Sequence, residues 1–91
     1  MKARVLVRLK PGILDVQGSA IARALGGLGF DDVRELRVGK VIEVEIADAD
    51  AGRARARVDE MCKKLLANPV IEDYTIELGT ADDLAVARSG R

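Results

Sequence analysis

Apolar and charged residues alternate along the first segment of the chain. Ala3, Val5, Val7 and Leu9 fall on one side, with Arg4, Arg8 and Lys10 largely on the other, a period of two that predicts a half-buried strand. Pro11-Gly12 ends it. Asp15 then stands where a carboxylate can cap the first free N–H groups of a helix. Leu14, Ile21, Leu25 and Leu28 recur at helical spacing, predicting a helix over residues 15–28, and Gly26, Gly27 and Gly29 supply its stop. Two β-branched stretches, residues 33–38 and 41–47, are separated by Gly39-Lys40, which suits a hairpin turn or a bulge. They predict two strands paired antiparallel. From Ala51 the period becomes helical again. Ala51, Ala54, Val58, Met61, Cys62, Leu65 and Leu66 form one stripe, Arg53, Arg57, Glu60 and Lys64 the opposite one, and Asp50 is the candidate cap. Asn68-Pro69 stops this second helix, because proline excludes its predecessor from helical geometry. Alternation then returns over residues 72–78 as a last strand.

The element order βαββαβ predicts an α+β fold. It is a ferredoxin-like two-layer sandwich, a four-stranded antiparallel sheet with two helices on one face and right-handed crossovers. With the usual strand order 4-1-3-2, Arg4 and Arg8 lie on the outer face between Glu43 and Glu45 on one side and Asp73 and Glu77 on the other. Cross-strand ion pairs of this kind fix register more than they stabilise. Leu6 sits among them, exposed in a monomer, which points to a face covered in an oligomer.

Composition narrows the picture. A 91-residue chain is one domain; the sequence divides it into a domain over residues 1–78 and a tail over residues 79–91. The aromatic share of 2% against a hydrophobic share of 48% means that aliphatic side chains must build the core. Fifteen basic and fifteen acidic residues cancel, so no global field gathers nucleic acid or an anionic membrane, and a near-neutral surface favours self-association. Met1 is followed by a charged alternating segment rather than an apolar signal core, and no apolar run approaches the ~20 residues of a membrane helix. The expectation is a soluble cytoplasmic protein.

Candidate chemistry is sparse. There is no histidine, and the single Cys62 shares the apolar stripe of the second helix with nothing to activate it. A buried structural thiol is the expectation. Turn and capping roles account for Asp31, Asp32, Asp48 and Asp50, so no metal site is expected. The glycines at 26, 27 and 29 follow a helix, whereas a phosphate cradle needs them before one. RNA-binding sheets of this topology stack bases on aromatic side chains; here the corresponding positions are Arg4, Leu6, Arg8, Glu43 and Glu45. The run Arg53, Arg55, Arg57 reads as a solvated helix face. No catalytic or cofactor-binding residue is expected.

Three segments carry a family resemblance: Leu9-Lys10-Pro11-Gly12-Ile13-Leu14-Asp15-Val16-Gln17-Gly18, then Arg37-Val38-Gly39-Lys40, then Met61-Cys62-Lys63-Lys64-Leu65-Leu66-Ala67-Asn68-Pro69-Val70-Ile71-Glu72-Asp73-Tyr74. In order and spacing the chain resembles the PurS family, small subunits of phosphoribosylformylglycinamidine synthase, over residues 1–78. The resemblance implies a role in de novo purine biosynthesis. In such an enzyme a glutaminase subunit releases ammonia and a synthetase subunit activates the substrate amide with ATP. The small subunit holds the two together and is itself a homodimer or larger. ATP, Mg and glutamine are then expected in the partner chains, with no cofactor in this one. Where the family usually has Asp-Pro-Gln-Gly, this chain has Asp15-Val16-Gln17-Gly18, which leaves the cap and loosens the turn. The exposed polar residues of the matching motifs, Lys10, Asp15, Gln17, Arg37 and Lys40, are the candidate partner contacts, because turn chemistry explains the glycines and not the long charged side chains. The alternative reading is an ACT-type regulatory module, which shares the topology and binds amino acids between paired domains. Beyond the resemblance, Thr80 with Asp83 is a candidate cap for a short helix, against a frayed end.

Overall fold

A computed structural model describes residues 1–79; the expectations for the rest of the tail, the Thr80 cap among them, fall outside those residues. The chain forms β1 (Lys2–Leu9), α1 (Val16–Gly27), β2 (Gly39–Glu45), α2 (Ala51–Met61), a π-helical turn (Cys62–Leu66) and β3 (Glu72–Gly79). The sheet has three antiparallel strands in the order β2-β1-β3, not the predicted four. These are the first, third and fourth strands of the expected arrangement, in the expected order.

Residues 33–38, the predicted second strand, are irregular. Their backbone groups are committed elsewhere: the Val38 N–H donates to the Asp15 carboxylate at 2.6 Å, and the Leu36 carbonyl lies against Gly18. The segment instead runs back from the tip of α1 to the sheet. Gly39, expected in a turn, is the first residue of β2.

One face of the sheet carries Ala3, Val5 and Val7 of β1, with Ile42, Val44, Ile76 and Leu78 alongside in register. Against it pack Ala54, Val58 and Cys62, completing a buried core of small aliphatic side chains. Asp50 caps α2, accepting from the Gly52 and Arg53 N–H groups. Past Met61 the helix widens, and the Ala67 N–H bonds back to the Cys62 carbonyl, five residues away. The added residue per turn brings Ala67 into the core and rotates Leu65, predicted on the buried stripe, out to 83% exposure. Asn68 ends the turn as expected. Its side chain accepts from the Val70 N–H, its carbonyl accepts from Ile71 and Glu72, and the Ile71 carbonyl then takes the Lys10 N–H.

Of the two helices predicted for the layer, α1 is absent from it. Within α1 only Gly18 is buried. Leu14, Val16 and Leu28 remain more than 70% exposed and Ile21 39%, so among the described residues the stripe read as core-facing is left largely uncovered. Helix α1 and the returning segment project as an arm, and the molecule extends over 48 × 32 × 14 Å. Its radius of gyration of 16.0 Å exceeds the roughly 12 Å of a compact chain this long.

On the outer face, Arg4 is buried between Glu43 and Glu77 in register and pairs with Glu77 at 2.9 Å. Arg8 departs from its expected setting, standing between Gly39 and Asp73. Leu6 is half-buried, not exposed, and faces Val41 and Thr75.

Candidate partner-binding site

The residues singled out by the motif segments gather at one end of the sheet. β1 leaves the sheet at Lys10, the Asp15 cap follows the Pro11-Gly12 turn, and β2 enters at Gly39. Asp15 is the fastener. One carboxylate oxygen accepts the Gly18 N–H at 2.8 Å, capping α1, and the other accepts the Val38 N–H. One short side chain thereby ties the start of the arm to its return. These two hydrogen bonds, Val38 foremost, hold the Asp15 carboxyl below its ordinary range against the opposing effect of burial, and Arg37 adds a smaller attraction. Gly18 is required at this junction, since a Cβ there would lie 2.5 Å from the Leu36 carbonyl oxygen and 2.6 Å from Asp15 Oδ2.

Around this knot, Arg37 Nη2 donates to the Lys10 carbonyl at 3.2 Å. Gln17, Lys40 and Asp15 line one cavity of about 230 Å³ with Arg8 and Glu72. Arg37 lines a second of about 570 Å³ with Pro11, Gly12 and Glu35. Arg37 and Lys40 share a third of about 300 Å³ with Arg8, Leu6 and Val41. Lys10, Gln17, Arg37 and Lys40 therefore surround the junction, while Asp15 sits within it, 6% exposed. Arg8 lines all three cavities and was missed in the sequence, where alternation placed it among carboxylates. The signal available was Gly39, whose absent side chain leaves Arg8 uncovered.

Cys62 is fully buried, and desolvation, with a smaller push from Asp59, raises its thiol above the ordinary value. This is the expected structural thiol. Nearby, Tyr74 donates to Asp59 at 2.5 Å and Lys63 pairs with the second Asp59 oxygen at 2.9 Å, fastening β3 to α2. Arg53 is an exposed residue that pairs with Asp48 and Asp50 at the start of α2.

This geometry accompanies a match over nearly the whole chain: residues 2–80 fit the family model described as PurS, phosphoribosylformylglycinamidine (FGAM) synthase. The chain belongs to the PurS family. The PurS subunit of phosphoribosylformylglycinamidine synthase from Methanocaldococcus jannaschii is 46% identical over 77 residues, 85% of this chain and 93% of that one. The Bacillus subtilis PurS structure superposes with a TM-score of 0.79 at 44% identity, covering 87% of this chain and 98% of that one. A chain in the structure of PurLQS from Thermotoga maritima superposes with a TM-score of 0.77 at 32% identity, covering 84% of this chain and 93% of that one. PurS membership favours the assembly-subunit reading over the ACT-type alternative.

Proposed function

We propose that this chain is the small, non-catalytic subunit of phosphoribosylformylglycinamidine synthase in de novo purine biosynthesis. It holds a glutaminase and a synthetase subunit together in the cytoplasm so that ammonia passes from one to the other. ATP, Mg and glutamine bind in those partners. The observation that carries the reading is family membership along residues 2–80, and a chain of the same fold within PurLQS supports it. The division of labour has a physical reason: ammonia released into water at neutral pH is mostly protonated and loses its nucleophilic lone pair. A subunit that aligns two active sites can therefore be indispensable to turnover without a catalytic group.

The contact surface is the sheet end ringed by Lys10, Gln17, Arg37 and Lys40, with Asp15 shaping it from within. The domain over residues 1–78 carries this function. The same chain self-associates, which the uncovered apolar row of α1 supports. Mixing the purified chain with the glutaminase and synthetase in the presence of glutamine and Mg-ADP should give a co-eluting complex and stimulate glutamine-dependent synthesis. Absence of both effects overturns the proposal.

A further inference from the structure

The cavity of about 300 Å³ beside Arg37 and Lys40 has a composition of its own. Arg8, Arg37 and Lys40 surround it, Leu6 and Val41 give it an apolar floor, and no acidic residue lines it. Its space exists because Gly39 stands opposite Arg8 across the β1–β2 pair. A Cβ at position 39 would lie 2.6 Å from the Val7 carbonyl oxygen and 3.5 Å from Arg8 Cβ, so any side chain there is strained and would close the cavity over Arg8. Among the described residues, neither Arg8 nor Lys40 forms an ion pair. Asp73, opposite Arg8 on the other strand, lines a different cavity with it. Arg37 commits one amino group to the Lys10 carbonyl, which orients its guanidinium and, among the described residues, leaves the remaining donors free. In a chain whose charges cancel, three cations lining one cavity over an aliphatic floor are a local excess of positive charge.

We infer that this cavity receives an acidic segment of a partner chain. Carboxylates of the segment are held by Arg8, Arg37 and Lys40, and a neighbouring aliphatic side chain rests on Leu6 and Val41. The guanidinium fork matches a carboxylate in two parallel hydrogen bonds, and a cationic patch steers an acidic surface into register before contact. Val41 is 54% exposed, so the floor lies open to a chain laid across the strands. The inference rests on the subunit reading above and adds to it the chemistry of the occupant.

The test measures affinity for the separately purified glutaminase and synthetase at low and moderate salt. It compares the wild type, the Arg8→Glu/Lys40→Glu chain, the milder Arg8→Gln/Lys40→Gln chain, and Arg57→Glu as a charge-matched control on α2. For one of the two partners, wild-type binding should weaken with salt. Both double variants should lose affinity, the Glu pair by at least about tenfold, while Arg57→Glu binds as the wild type does. Circular dichroism verifies folding, and the Gln pair carries the result if the Glu pair does not fold. Wild-type binding that is indifferent to salt and unchanged in folded double variants overturns this inference and leaves the subunit reading standing. A wild-type chain that binds neither partner overturns the subunit reading itself.

Discussion

Tyr74 is the single tyrosine of a chain with no tryptophan, so its ionisation can be followed by absorbance without interference. Its hydroxyl donates to the Asp59 carboxylate, and that bond first, burial second, pushes the phenol up from 10.0 to about 12. Folding favours the neutral phenol here. The stability it contributes is complete below the ordinary value and is lost as pH rises through about 12. A spectrophotometric titration of the native chain should show this late midpoint, and Asp59→Asn should move it back toward the ordinary value. An unshifted wild-type midpoint would contradict the Tyr74–Asp59 bond. At this scale the sequence was readable where a side chain acts on its own neighbourhood, as Asp15 and Asp50 do in capping and Cys62 does within an apolar stripe. It was not readable at Arg8, whose setting depends on which residue of another strand stands opposite.

Helix α1 shows how an element can form without joining the core. Its start is fixed by Asp15, and its end by two back-bonds, Phe30 N–H to the Leu25 carbonyl and Gly29 N–H to that of Gly26. Local signals of this kind were legible. Val16 is the first helical residue and is 71% exposed, a position where proline is preorganised and sacrifices no intrahelical hydrogen bond. Val16→Pro should therefore stabilise by a few tenths to about 1 kcal/mol, seen as a rise in Tm of up to about 4–8 °C and slower amide exchange along α1. A fall in Tm would mean that the turn before α1 is incompatible with the ring. The same helix also marks where periodicity misleads. A stripe of leucines states that a face needs cover, and it does not state which surface supplies it. Residues 33–38 failed as a strand for a related reason, since their β-branched composition was outweighed by hydrogen bonds to the start of α1. Leu65 was misplaced by one inserted residue in a π-helical turn, an irregularity that leaves no trace in a seven-residue repeat.

At the scale of the whole molecule, the described residues form a sheet and one packed helix with an arm set to the side, and the arm's apolar residues give it a reason to associate. Ile21 and Leu28 lie outside the buried core, so the isolated fold should survive their replacement by aspartate. Light scattering should report a smaller mass for Ile21→Asp/Leu28→Asp than for the wild type, with an unchanged circular dichroism spectrum. An unaltered mass would remove α1 from the self-association surface. The sheet and its strand order were accessible from sequence because alternation within each strand is self-contained; the absent fourth strand and the detached helix belong to a scale at which neighbours, and not patterns, decide. The candidate site followed the same division: its residues were named from motif segments, and only the folded chain brought them to one corner.

The Asp15 fastening makes that corner a pivot. The 12-residue α1 reaches about 18 Å at 1.5 Å per residue, so a swing of a tenth of a radian carries its tip about 2 Å. Val38, bonded at the pivot and followed by Gly39 and Lys40 of β2, lies close to the axis of such a swing. The arm can adjust to whatever lies against it while the cationic cavity keeps its place on the sheet, and one partner's fit need not be spoiled by another's.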